Sequence, residues 1–134
     1  MPSLTAKLKI ESWDEKTHRE LSAEGSKITR ADVTLSRAGE ALNSGSFDAL
    51  MFYRPDGSSA YVALIELSAT LEGRSGTFVL QGRGSYDGTT ARSTLTIVPG
   101  SGTDELAGIS GTAESVSTHA DYPHMPLTLD YELP

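Results

Sequence analysis

Apolar side chains recur at every second position along most of this chain, a period that belongs to strands with one buried face and one face in water. Ala6, Leu8 and Ile10 alternate with Lys7, Lys9 and Glu11, which predicts a first strand from Ala6 to Trp13. Ala31, Val33 and Leu35 do the same within a second strand, Ile28 to Arg37, and Phe47, Ala49, Met51 and Tyr53 within a third, Ser46 to Tyr53. The most regular run is Tyr61 to Leu71, apolar at Tyr61, Ala63, Ile65, Leu67, Ala69 and Leu71. Further strands are expected over Thr77 to Tyr86, Thr90 to Val98, Leu106 to Ala113 and Leu127 to Leu133.

Turn residues separate these runs: Pro55-Asp56-Gly57, Glu72-Gly73-Arg74-Ser75-Gly76, Tyr86-Asp87-Gly88 and Pro99-Gly100-Ser101-Gly102. Glycine supplies positive φ, proline pre-sets a corner and aspartate bonds its own backbone. Eight short antiparallel strands joined by hairpins predict an all-β fold, a single up-and-down barrel without exposed edges, over a two-sheet sandwich. The whole chain, residues 1–134, reads as one domain, a size that can bury a core without covalent staples. The charged stretch Asp14 to Ser26 lacks alternation and reads as a solvated loop, as does the stretch from residue 114 to 126.

The same residues exclude several function classes. With no cysteine there is no disulfide, thiolate nucleophile or cysteine-held metal. The opening Met1-Pro2-Ser3-Leu4-Thr5-Ala6-Lys7 lacks a secretory pattern, and the longest apolar run, Ala60 to Ile65, is six residues against the roughly twenty of a membrane helix. A cytoplasmic protein that meets no membrane is expected. Net charge is −7, and residues 68–134 hold 3 basic side chains, Arg74, Arg83 and Arg92, against 8 acidic ones. A phosphate backbone needs clustered cations, so nucleic acid is not an expected partner.

No cofactor or metal is expected. His119, Asp121 and His124 match no established ligand spacing. Pro99-Gly100-Ser101-Gly102-Thr103 lacks the lysine and following helix of a phosphate loop, and Gly108-Ile109-Ser110-Gly111 lacks the spacing of a nucleophile elbow. Glu66, Asp32, Asp130 and Glu132 fall on the outward parity and read as solvated surface.

The inward parity mixes large side chains with Ala49, Ala63, Ala69, Gly82, Gly84, Ala91 and Ser93. Eight strands leave an interior that either fills with side chains or holds one small ligand, and the pattern alone leaves both open. If a ligand sits there, its contacts are the inward Phe47, Met51, Tyr53, Tyr61, Phe78, Leu80 and Tyr131, with Trp13 on the rim. Tyrosine is the hydrogen-bonding type among them and would orient a carbonyl or hydroxyl.

A resemblance supports this architecture. Residues 98–111, with Gly100, Ser101, Gly102, Leu106, Gly108 and Gly111, resemble the turn-and-strand signature of the allene oxide cyclase barrel superfamily. Ser12-Trp13-Asp14-Glu15, Tyr53-Arg54-Pro55-Asp56-Gly57, Leu71-Glu72-Gly73-Arg74-Ser75-Gly76-Thr77-Phe78 and Leu129-Asp130-Tyr131 look like its short stand-alone bacterial members, a family of unknown function. The resemblance implies an eight-stranded barrel with a mostly apolar cavity. In the plant cyclases such a cavity folds an unstable epoxide by shape, with a carboxylate steadying positive charge. Glu11 lies on the corresponding first strand without matching surroundings, and Gln81-Gly82 stands where bacterial relatives carry Gln-His.

The expected function is therefore binding of a small hydrophobic molecule, with cofactor-independent isomerisation or cyclisation if the protein is an enzyme. The alternative is a non-catalytic binding or interaction barrel, in which the outward Val62 and Leu64 join two copies into a homo-oligomer.

Overall fold

A computed structural model describes residues 2–36 and 41–134, with His119 described by its backbone alone. Eight antiparallel strands form one sheet: β1 (Ser3–Glu20), β2 (Lys27–Ser36), β3 (Leu42–Tyr53), β4 (Ser59–Leu71), β5 (Arg74–Tyr86), β6 (Thr90–Ile97), β7 (Ser110–Thr118) and β8 (His124–Glu132). Each pairs with the next, and β1 also pairs with β8 from Ser3↔Asp130 to Lys9↔His124, so the sheet closes on itself as a barrel. Closure removes most of the exposed edge that an open sheet would present, and beyond Lys9 β1 is paired with β2 alone. Among the described residues the only helical pieces are two 3-10 turns, Asp104–Leu106 and His119–Asp121.

Alternation produces the expected two faces. Ala31, Val33, Leu35, Phe47, Ala49, Ile65, Leu67, Phe78, Leu80, Leu95, Ile97, Leu127 and Leu129 are buried in one core, while Glu66 and Gln81 are exposed and Asp130 is half-buried on the opposite parity. Each large aliphatic or aromatic side chain removed from water in this way contributes roughly 1.5–3 kcal/mol.

Three segments depart from the sequence reading. Strand β1 runs on to Glu20, so Asp14 to Glu20 is strand and the connecting loop is confined to residues 21–26. Alternation is invisible there because register shifts between Ile10 and Ser12, and again between Thr17 and Arg19. Glu11 is left unpaired, and a bulge of this kind moves the inward set from Leu8 and Ile10 to Trp13, Glu15 and Thr17, opposite buried Val33, Ala31 and Thr29.

Strand β7 begins at Ser110 and not near Leu106, and continues to Thr118, while β8 begins at His124, so much of the stretch expected as a loop from residue 114 to 126 is sheet. Residues 98–109 instead fold across one end of the barrel. There Val98 N–H donates to Val79 O (2.8 Å), Thr103 N–H to Thr77 O (2.9 Å) and Thr77 N–H to Thr103 Oγ1 (3.0 Å), covering the part of β5 that extends past β6. Gly76 permits this approach, since a Cβ there would collide with the Thr103 carbonyl oxygen. Leu106 and Ile109 are thereby driven into the barrel end. Arg37, the expected end of the second strand, lies outside the described residues.

Candidate functional site

The barrel is filled at one end and hollow at the other. Beneath the loop of residues 98–109, Phe78, Leu80, Leu106, Leu127 and Leu129 have no exposed surface. Along the same strands towards the opposite end the inward residues shrink: β5 passes from Phe78 and Leu80 to Gly82 and Gly84, and β6, read backwards, from Ile97 and Leu95 to Ser93 and Ala91. The volume those side chains leave is a cavity of about 360 Å³.

Its lining is mainly apolar, with Ala63, Ile65 and Leu95 at its floor, and hydroxyl groups gather on one side. One side carries Ile10, Trp13, Phe47, Met51 and Met125; the other carries Ser59, Tyr61, Ser93, Ser115 and Ser117. Trp13 and Phe47 meet edge to face, ring centroids 5.7 Å apart at 82°, and Trp13 remains 41% exposed at the mouth. The distal half of β1 has β2 as its only paired strand, because pairing with β8 stops at Lys9↔His124; Tyr122, His124 and Met125 line the cavity on that side.

Tyr61, Gly84 and Ser93 stand opposite one another on β4, β5 and β6. The Tyr61 ring lies over Gly84, where a Cβ would overlap the ring's Cζ and hydroxyl, and so the phenol reaches Ser93 Oγ at 2.6 Å. Burial pushes the Tyr61 pKa up, the bond to Ser93 opposing it, and the phenol stays protonated at neutral pH.

At the mouth Glu15 gathers three donors. Its Oε2 accepts from Tyr53 OH (2.7 Å) and Thr29 Oγ1 (2.7 Å), its Oε1 from Trp13 Nε1 (2.9 Å), and Lys27 Nζ stands 5.3 Å from the centre of the Tyr53 ring. Partial burial alone would raise the Glu15 pKa, but the bonds from Tyr53, Thr29 and Trp13, with Lys27 nearby, hold it below the ordinary glutamate value. Burial, then the hydrogen bond and charge of Glu15, push the Tyr53 phenol far above its ordinary value. Glu15 is therefore an anchored anion and a poor proton shuttle. It does not line the cavity; Tyr53, which it orients, does.

Of the ligand contacts expected from sequence, Phe47, Met51, Tyr53 and Tyr61 line this cavity together. Phe78, Leu80 and Tyr131 also turn inward, but they lie in the filled end and do not reach it. Parity told which way they face and not how far along the barrel they sit. Tyr131 is 5% exposed, and burial together with the carboxylate of Glu72 raises its pKa.

Glu15, Ser115 and Ser117 escape the sequence reading because they fall in stretches that read as loops and fold as β1 and β7, and Ser59 because it stands before the apolar run that marks β4. Glu11, the carboxylate on the expected strand, sits instead at the bulge, exposed, accepting from Ser36 Oγ at 2.7 Å with Lys9 at 3.8 Å. Asp121 accepts from Thr118 N–H at 2.8 Å as a turn residue, and among the described residues no three histidine or acidic side chains gather as a metal site. Nor, among those residues, is any helix long and apolar enough to cross a membrane.

No curated protein matches the chain. A crystal structure of a protein of unknown function from the DUF3224 family of Shewanella oneidensis MR-1 is similar over 100% of this chain and 98% of that one, with a TM-score of 0.80 and 25% identity. The family model described as "Protein of unknown function (DUF3224)" matches residues 4–131, and with nearly its whole length so matched the chain belongs to the DUF3224 family.

Proposed function

We propose that this protein is a small-molecule-binding barrel that takes a mainly apolar molecule into the hollow end of its sheet. The supporting observation is the cavity of about 360 Å³, near the lower end of the roughly 300–1,000 Å³ typical of ligand sites, with Trp13 and Tyr53 at its mouth. Following the resemblance to the allene oxide cyclase-like superfamily, any conversion inside it is a cofactor-independent isomerisation or cyclisation steered by the shape of the wall. The chemistry around the cavity favours that class over hydrolysis: the Tyr53 and Tyr61 phenols are held protonated, and Glu15, beside the mouth and outside the lining, already accepts three hydrogen bonds. In place of Glu11, Glu15 would supply negative potential near the mouth.

Fluorescence titration with the uncharged dye N-phenylnaphthylamine tests binding. Saturable enhancement of its emission, with quenching of the single Trp13, is expected; an emission that stays that of the dye in buffer at every protein concentration would rule the reading out.

A second reading rests on the outer wall. Leu50, Phe52, Val62 and Leu64 are 45, 36, 57 and 53% exposed and adjoin one another across β3 and β4. On one flank Asp48 lies opposite Asp32, which raises the Asp48 pKa through their hydrogen bond, and on the other flank Arg83 lies opposite Val62. A two-fold axis along β4 would lay β3 of one copy over β5 of a second, with Asp48 level with Gln81 and two residues from Arg83, so acidic and basic flanks face each other. Analytical ultracentrifugation should show a dimer that Val62→Glu dissociates; a monomer at all concentrations would remove this reading.

A further inference from the structure

The cavity wall also limits what kind of molecule can occupy it. Ser115 Oγ donates to the Pro126 carbonyl, so that hydroxyl's proton is committed to the fold. Tyr61 and Ser93 are different. They share one hydrogen bond of 2.6 Å in which either oxygen can donate. Two hydroxyls joined by one bond use one proton between them and keep the other. Whichever oxygen accepts therefore has its own proton left to give, and both residues line the cavity.

Gly84 leaves room for the Tyr61 ring and the 2.6 Å bond to Ser93 holds it, so this donor is in place before a ligand arrives. The lining's Arg83 and His124 are exposed residues, Arg83 on the outward parity and His124 at the start of β8, and the anion nearest the mouth is Glu15. Arg83 stands opposite Val62 and His124 opposite Lys9, both on the outward parity, so among the described residues no cation stands inward beside Tyr61 and Ser93 to compensate a buried negative charge, which is costly to desolvate unpaired.

Resting on the binding function proposed above, we infer that the ligand is an uncharged molecule with an apolar face against Trp13, Phe47 and Met51 and a single hydroxyl or carbonyl oxygen held by the Tyr61–Ser93 pair. The pair acts as one reversible donor. It can give a proton to a carbonyl, or accept from a hydroxyl while giving its own.

Naphthalene, naphthol and naphthoate, which share one ring system, separate the terms. By calorimetric titration at neutral pH, naphthol should bind about fivefold tighter than naphthalene, the worth of one net neutral hydrogen bond. Naphthoate should bind more weakly than either. Tyr61→Phe or Ser93→Ala alone keeps one hydroxyl and should keep the preference, whereas the double variant Tyr61→Phe/Ser93→Ala should bind naphthol no tighter than it binds naphthalene. Removing both partners of a bond is close to neutral for folding, and an unchanged far-ultraviolet circular dichroism spectrum reports an intact barrel.

Equal wild-type affinities for naphthol and naphthalene, or a naphthol preference surviving in the double variant, would overturn the handle and leave the cavity reading standing. Tightest binding of naphthoate would overturn the neutral assignment. Failure of all three to bind would overturn the cavity reading and this inference with it.

Discussion

The two ends of this barrel share strands, alternation and hydrogen-bonded registers, and differ in side-chain volume. At the filled end Phe78, Leu80, Leu106, Leu127 and Leu129 interdigitate without exposed surface. At the hollow end the same inward positions of β4 to β7 hold Ala63, Gly82, Gly84, Ala91, Ser93, Ser115 and Ser117. Period two decides which side of the sheet a residue faces; residue size, taken in register with its neighbours, decides whether the space it faces is core or site. A barrel of eight strands sits close to the balance between the two, because its interior is only just wide enough to be filled.

The contrast can be broken most severely at the filled end. Phe78→Ala should lower unfolding free energy by about 3–5 kcal/mol in urea denaturation, since a fully buried ring leaves a cavity that its neighbours cannot close. A sharper comparison uses one strand. Ala63 and Ala69 have the same parity on β4, but Ala69 is wholly buried and Ala63 borders the cavity. Ala69→Leu should cost roughly 1–3 kcal/mol by overpacking, and Ala63→Leu, with space to enter, less than about 1 kcal/mol. Equal losses would mean that the hollow end is as tightly packed as the other.

Smaller effects come from the rim and the outer wall. Glu15→Gln replaces charge-assisted bonds from Tyr53, Thr29 and Trp13 with neutral ones and should cost about 1 kcal/mol at neutral pH. Because folding holds the Glu15 pKa below its unfolded value of about 4.3, this contribution is present in full above that pH and is lost as the pH falls through the folded pKa. Denaturation of wild type and variant at neutral and acid pH should show their difference shrinking in acid. Asp48→Asn, relieving a like-charged cross-strand pair with Asp32, should stabilise dilute protein by a few tenths of a kcal/mol, less at high salt.

Much of the fold was legible because strands with one wet face write their pattern plainly. The hollow end was legible too, in a form that parity alone does not extract. In β5 the order is Phe78, Leu80, Gly82, Gly84, and across the next hairpin it is Ala91, Ser93, Leu95, Ile97. Large-to-small followed by small-to-large puts both small sets at one end of an antiparallel pair.

What alternation hid was the mouth. The unpaired Glu11 moves Trp13 and Glu15 onto the inward parity, and the phase set by Leu8 and Ile10 ends there. The Glu15 cluster then assembles from three strands, β1, β2 and β3, through bonds with no sequence period. Leu106 looked like a strand residue because it is apolar and buried, though it is buried by a 3-10 turn folded across the barrel end.

If the hollow end is where this protein takes up its ligand, the affinity of Ala63→Leu for N-phenylnaphthylamine reports it. Added bulk at a cavity-lining position should abolish saturable dye binding while far-ultraviolet circular dichroism stays that of wild type. Unchanged dye affinity in a folded Ala63→Leu variant would mean that the dye does not occupy the hollow end.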